Sequence, residues 1–248
     1  VAVDSYDSGG ATGLTYSATY GGRTLTQAVV ENSNRRHTWI GYLKEADIAA
    51  ASGNTLSVAI TGTHTNVSAF VGSFSGVDQT TPIAGSGGIY GNNTATSYQF
   101  TAAITGTAGD YGIYTWSGNQ TRSSDTETYT EHADYLNGLQ MGVASKALAT
   151  AGSTRPTVTY AATARVSQSI VALNASAGSS NAYPRNRWTE RLSSTTNILM
   201  SNWRGDTTGA NANFEYQVVE FTGGPVLGSG SNLKVDRHFS DNYIDPTT

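Results

Sequence analysis

The stretch RSSDTETYTEHAD is the richest source of side chains that could carry out acid–base chemistry. It contains four carboxylates, at Asp125, Glu127, Glu131 and Asp134. Glycoside hydrolysis requires two carboxylates held at a set separation across a cleft, and such pairs usually come from different strands. Asp125 and Glu127 instead alternate along one predicted strand, which is typical of a solvent-exposed sheet edge protected by charge. We therefore expect no hydrolase activity from this cluster.

The other residues that could catalyse a reaction form no recognisable motif. No serine lies in a Gly-x-Ser-x-Gly elbow, and there is no His-Glu-x-x-His pair, phosphate-binding loop or dinucleotide fingerprint. The absence of cysteine excludes thiol catalysis, thiolate metal sites and disulfides. We predict a protein that is not an enzyme and has no catalytic residues. The histidines, scattered over predicted strands and loops, are His37, His64, His132 and His238.

Oxygen-rich turns offer the best candidates for a metal site, because calcium prefers carboxylate and carbonyl oxygens. DSYDSGG places Asp4 and Asp7 beside a glycine-rich turn, and GVDQTTP places Asp78 in a second one. Neither stretch matches an EF-hand loop. We predict that no cofactor is bound, and the alternative is a structural calcium ion held by these aspartates.

Aromatic and arginine side chains near the end of the chain could contact a sugar. YPRNRWTER surrounds Trp188 with arginines, and NWRGD places Trp203 and Arg204 at a predicted turn. Sugars stack on aromatic faces, so these three residues are the candidate glycan contacts. Trp39 and Trp116 lie within apolar runs and are predicted to be core residues.

Composition and charge exclude two classes of partner. The net charge is −4 with only three lysines, which does not provide the positive footprint that a nucleic acid requires. No apolar stretch approaches the length of a membrane span. The chain begins with Val rather than Met, which fits removal of a signal peptide. We expect an extracellular protein, secreted, surface-exposed or part of a virion.

Alternating polar and apolar residues predict a fold made almost entirely of strands. AITGT occurs at residues 59–63 and 103–107, each time within an alternating run broken by Gly-Thr. We predict a turn at Gly21 and Gly22 between two strands, and a further strand that places Trp39 and Ile40 on opposite faces. We also predict hairpins over residues 56–75, 97–117 and 157–173, a long loop from residue 76 to 93, and a single short helix within residues 44–51. This pattern indicates an all-β fold, an antiparallel β-sandwich that is jelly-roll-like, with at most one short helix.

The chain divides into three predicted segments. Residues 1–176 form a β-sandwich core, residues 177–224 add strands that complete or extend it, and residues 225–248 are a Gly-Ser spacer with a C-terminal arm. The arm either pairs with another subunit by strand addition or folds back on its own sheet. Its predicted contact residues are Leu233, Val235, Arg237, Phe239, Tyr243 and Ile244.

Three stretches carry a resemblance to known proteins: YGGRTLTQ, FSGVDQTTP and YQVVEF. The chain resembles β-sandwich modules of secreted bacterial surface proteins and of phage structural and appendage proteins. The resemblance implies an extracellular module with a structural or adhesive role and transfers no catalytic residue. We expect a structural subunit that assembles with copies of itself as a surface filament or virion appendage. The alternative is a carbohydrate-binding or adhesive module that recognises surface glycans.

Overall fold

The computed structural model shows a fold that is nearly all β, with one short helix. It describes residues 1–7, 9–10, 13–33, 35–136, 140–148 and 152–176, together with short strand segments between residues 183 and 221. The helix, α1 (Glu45–Ala49), lies inside the predicted span and buries none of its residues. The prediction of an all-β sandwich with at most one short helix is confirmed.

The strands form four main sheets and three two-stranded ribbons. The strands, in chain order, are β1 (Ala2–Tyr6), β2 (Thr15–Tyr20), β3 (Arg23–Thr24), β4 (Thr26–Asn32), β5 (Arg36–Tyr42), β6 (Thr55–Thr61), β7 (Asn66–Phe70), β8 (Phe74–Ser75), β9 (Ile83–Asn92), β10 (Ser97–Gln99), β11 (Ile104–Gly106), β12 (Tyr111–Gly118), β13 (Arg122–Asp125), β14 (Thr130–Leu136), β15 (Gln140–Ala147), β16 (Gly152–Thr154), β17 (Thr157–Tyr160), β18 (Arg165–Leu173), β19 (Tyr183–Pro184), β20 (Leu192–Ser194), β21 (Asn197–Ile198) and β22 (Val218–Phe221). Sheet I has the strand order β22-β6-β2-β3 and sheet II has the order β4-β5-β1-β7. Sheet III has the order β14-β15-β12-β18-β9 and sheet IV has the order β10-β17-β13. The ribbons pair β11 with β16, β8 with β19, and β20 with β21. Neighbouring strands are antiparallel, apart from β22, which runs parallel to β6.

Three apolar cores separate the four sheets, which therefore stack in the order I, II, III, IV. Val3 and Trp39 of sheet II pack with Leu56 of sheet I in the first core. Ile40 of sheet II packs with Val171 of sheet III in the second core. A third core joins sheet III to sheet IV through residues that include Tyr114, Trp116, Val158 and Tyr160.

Sheet II buries both of its faces, and β5 shows why. Successive side chains of a strand point to opposite faces, so the neighbours Trp39 and Ile40 enter different cores. Trp39 is 1% exposed and Trp116 is 0% exposed. The predictions that Trp39 and Ile40 face opposite ways and that both tryptophans are core residues are confirmed.

The prediction of a turn at Gly21 and Gly22 is confirmed, whereas the three longer hairpins are wrong. Gly21 and Gly22 have φ values of 50° and 81° and connect β2 directly to β3, as a two-residue hairpin turn requires. By contrast β6 pairs with β2, while β7 pairs with β1 in a different sheet. Residues 97–117 and 157–173 also cross between sheets. Alternation shows that a strand buries one face, but it does not show which strand is its neighbour.

Candidate functional site

The predicted carboxylate cluster is organised around one arginine. Arg122 contacts Asp125 at 2.5 Å and Glu131 at 2.8 Å. The Asp125 side chain is fully buried and accepts a hydrogen bond from the hydroxyl of Tyr114 at 3.0 Å. The prediction that Asp125 lies on a solvent-exposed edge is therefore wrong. Its charge is balanced inside the fold by the arginine rather than by water.

Hydrogen bonds within the chain hold the carboxylates of Asp125 and Glu127. One Asp125 oxygen accepts from the backbone N–H groups of Glu127 at 3.0 Å and Tyr129 at 3.1 Å. The Glu127 carboxylate accepts from the Thr154 hydroxyl at 2.6 Å and from the Arg155 backbone N–H at 2.7 Å. These bonds tie the turn between β13 and β14 to the neighbouring strands, which is a structural task.

Two other side chains of the sequence motif lie on β14. Burial, together with the charge of Glu131, raises the pKa of Asp134 to about 6. His132 contacts the hydroxyl of Ser145 through Nε2, and Ser145 also pairs with the hydroxyl of Tyr111 at 2.9 Å. Ser145 is 1% exposed, so the serine and histidine meet in the interior rather than in a cleft that a substrate could enter.

The remaining histidines do not join this pair in the described part of the chain. His37 is buried and contacts the Asn32 side chain at 3.1 Å. Burial lowers its pKa to about 4, with the charge of Asp7 opposing that change. His64 lies in a loop and contacts the carbonyl oxygen of Gly62. His238 falls outside the described residues.

The aspartates predicted to bind calcium serve different parts of the fold. Asp4 is buried between sheets II and III, where the Thr115 hydroxyl donates to it at 2.6 Å. Asp7 accepts from the backbone N–H of Gly9 at 2.8 Å. Asp78 accepts from the N–H groups of Thr80 and Thr81, which hold its pKa below the usual range.

Among the described residues, no group of three or more His, Asp or Glu side chains is arranged to hold a metal ion. The calcium site stays a prediction. The candidate glycan contacts Trp188, Trp203 and Arg204 lie outside the described residues, as does the predicted arm with Leu233, Val235, Arg237, Phe239, Tyr243 and Ile244.

The longest strand among the described residues lies where the sequence predicts a loop. Residues 83–92 form β9, which pairs with β18 along its length. The prediction of a loop, which rested on Pro82 preventing regular pairing, is wrong. Pro82 directly precedes the strand, a position where its missing N–H is tolerated.

The glycines of β9 allow two flanking sheets to approach it closely. A Cβ atom on Gly91 would lie 2.1 Å from Cζ of Tyr98, which belongs to sheet IV. A Cβ atom on Gly88 would lie 2.3 Å from a carboxylate oxygen of Glu31, which belongs to sheet II. Gly91 and Gly88 lie on opposite faces of β9. A side chain at Gly91 would overlap the Tyr98 ring, whereas one at Gly88 would require the Glu31 carboxylate to move.

The outer edge of β9 is the candidate functional site. Sheet III ends at β9 on one side and at β14 on the other, since neither strand has a second neighbour within the described residues. The β14 edge carries Glu131, His132 and Asp134 and is interrupted by a bulge after Glu131. Charges and bulges are the features that protect an edge from pairing with another chain.

The edge of β9 has neither kind of protection along most of its length. Its sequence, IAGSGGIYGN, contains no charged residue, and its single irregularity lies at its first residues. Ser86 and Tyr90 are exposed, and Tyr90, at 59%, is one of the two exposed large hydrophobic residues among the described positions. The Thr101 hydroxyl donates to the Gly88 carbonyl at 2.8 Å, but no strand lies beyond β9 among the described residues. A sheet edge of this kind suits the addition of an extended strand.

Comparisons with known proteins yield no relative. No protein-family model matches the chain, and no curated protein and no solved structure matches it. In the part of the chain that the structure describes, there is no helix with the length and apolar character needed to cross a membrane.

Proposed function

We propose that the protein is a non-enzymatic structural subunit of an extracellular assembly, a surface filament or a virion appendage. Its subunits are joined by β-strand contacts between copies of the chain. The observation that carries the proposal is the contrast between the two edges of sheet III. The β14 edge is charged and bulged, whereas β9 presents a long, uncharged edge.

The strand proposed to pair with β9 is the alternating segment of residues 232–244 from a second copy. In that sequence Leu233, Val235 and Phe239 share one face. Burying each large apolar side chain contributes about 2 kcal/mol, and ladder pairing satisfies the backbone groups of both strands. The stretch GSGS before the segment has the composition of a flexible linker, so we expect the arm to reach a neighbour.

The proposal predicts that positive charge on β9 prevents assembly. We expect Ser86→Lys and Tyr90→Lys to leave a folded monomer, because lysine on a sheet edge opposes strand pairing. Thr130→Lys is the matched control, because it adds the same exposed charge to the β14 edge.

The measurement is light scattering combined with negative-stain microscopy, with circular dichroism to verify folding. Deleting residues 232–248 should give the same folded, unassembled subunit as the β9 variants. If both β9 variants assemble like the wild type, the edge is not the interface. If the truncated chain fails to fold, the arm belongs to its own domain and the strand-exchange proposal is wrong.

A further inference from the structure

The interface between sheets II and III is polar at one end. Thr38 contacts Ser169 at 2.8 Å, and the hydroxyl of Ser117 donates to the carbonyl oxygen of Ser5 at 3.1 Å. The apolar core between these sheets occupies the other end, around Ile40 and Val171. The two sheets therefore meet through hydrogen bonds where β5 and β12 carry polar residues.

A pocket of about 370 Å³ lies at this polar end. Its lining joins the ends of sheet II strands to two loops that flank sheet III. The lining residues are Tyr6, Arg35, Arg36, Asn93, Asn119 and Arg165. Three of the six are arginines and none is a carboxylate, although the protein as a whole carries a net charge of −4.

Arg36 is the central feature of the pocket. Its side chain lies over the ring of Tyr6, with Cζ 4.2 Å from the ring centroid. The residue is only 4% exposed, and its Nε and Nη1 atoms are buried without a hydrogen-bond partner. The Nε of Arg165 is also buried without a partner. Guanidinium groups that are buried and unpaired carry a desolvation penalty that an anion would offset.

The charges of the neighbouring arginines affect the pKa of Arg36. The pKa of Arg36 falls to about 10, chiefly because the group is buried. The nearby charges of Arg165 and Arg35 lower it further, while Tyr6 opposes the change. Because none of the described lining residues is a carboxylate, the like charges held together here make the pocket a focus of positive potential.

The backbone holds the lining residues in place before any ligand binds. Arg35 and Asn93 have φ values of 84° and 63°, in the left-handed region that few non-glycine residues adopt. The side-chain oxygen of Asn119 accepts the Arg165 backbone N–H at 2.7 Å, and Asn119 donates its own N–H to the Arg165 carbonyl at 3.2 Å. Strained residues clustered at one place are typical of ligand sites.

We propose that this pocket binds a compact oxyanion, a sulfate or phosphate group, either free or as a substituent of a polysaccharide. Planar guanidinium groups pair with such oxygens in a two-pronged manner, and the Asn93 amide adds a further polar group. The volume is at the small end of the range for ligand pockets and leaves room for a sugar ring that carries the anion. The pocket adjoins the end of β9, because Asn93 directly follows that strand, but the proposed anion binding does not depend on the assembly proposal.

The test measures binding of the full chain by calorimetry at constant ionic strength. Sodium sulfate and sodium phosphate are compared with sodium chloride, and dextran sulfate with unmodified dextran. We expect the two oxyanions or the sulfated polymer to bind, and Arg36→Gln and Arg165→Gln each to weaken binding at least tenfold. Arg23→Gln, which removes an exposed arginine of sheet I, is the control and should bind like the wild type.

The outcomes separate the sources of the anion. Tight binding of free sulfate or phosphate assigns a free ion, whereas tight binding of dextran sulfate alone assigns a group on a polymer. Either result supports the proposal only if the two pocket variants weaken it and the control does not. If neither oxyanion nor dextran sulfate binds, or if both pocket variants bind like the wild type, the proposal is wrong. Arg165 is only half-buried, so its variant keeps the test valid if Arg36→Gln does not fold.

Discussion

Replacing Arg122 by methionine should remove a large part of the stability of the protein. Arg122 contacts Asp125 at 2.5 Å and donates to the Tyr114 hydroxyl at 2.5 Å, and its side chain is only 9% exposed. Breaking a buried ion pair costs about 3–5 kcal/mol, because the remaining charge is left without its partner. Asp125 keeps two backbone N–H donors and the Tyr114 hydroxyl, so we expect the lower end, about 3 kcal/mol.

The assay is urea unfolding of the wild type and the variants at pH 7, followed by circular dichroism. Glu131→Gln is the matched control, because Glu131 also contacts Arg122 but its side chain is 33% exposed. Exposed ion pairs contribute about 0–1 kcal/mol, so the control should change little. Adding Asp125→Asn to Arg122→Met should recover part of the loss, because the amide removes the uncompensated charge while its oxygen can still accept from the backbone N–H groups. A loss below about 1 kcal/mol for Arg122→Met would refute the reasoning, because that value is typical of an exposed pair.

Three further predictions concern glycine packing and pH dependence. Gly91→Ala should lower the free energy of unfolding by about 1–3 kcal/mol, since its Cβ would overlap Tyr98, whereas Gly53→Ala, with open space around it, should change thermal stability little. Burial raises the pKa of Asp4 in the folded state, so the free energy of unfolding should fall as pH rises above about 4. Asp4→Asn should remove that fall when urea unfolding is measured across pH. An Asp4→Asn profile that matches the wild type would contradict this prediction. Burial lowers the pKa of His37 to about 4 in the folded state, so the free energy of unfolding should decrease as pH falls below about 6.5. If His37→Gln and the wild type lose stability identically over this pH range, the prediction is wrong.

Local patterns in the sequence were sufficient to predict the class of fold and parts of its interior. The placement of Trp39 and Ile40 on opposite faces follows from the two-residue period of a strand. The turn at Gly21 and Gly22 follows from the ability of glycine to adopt positive φ. Trp116 lies in an apolar run and is a core residue, as expected. Each of these features depends on residues that are neighbours in the chain.

The candidate sites could not be predicted in the same way, because they depend on contacts between distant residues. Arg122 is only three positions from Asp125, but the Asp125 carboxylate also accepts from Tyr114 of β12, and no local pattern predicts that contact. The pocket arginines Arg36 and Arg165 are 129 positions apart in the sequence. No spacing rule connects such residues, so charge composition alone suggested no anion site.

The sequence by itself determined that this chain forms short strands, which of their residues face a core, and where one tight turn lies, because these properties follow from side-chain alternation and backbone preference. Only the tertiary structure decided which strands are neighbours. Pairing is a competition among all strands that bury a face, and it sent β6 and β7 to different sheets. The same competition left β9 at the end of sheet III, where its glycines accommodate the flanking layers and its outer edge has no strand beside it among the described residues.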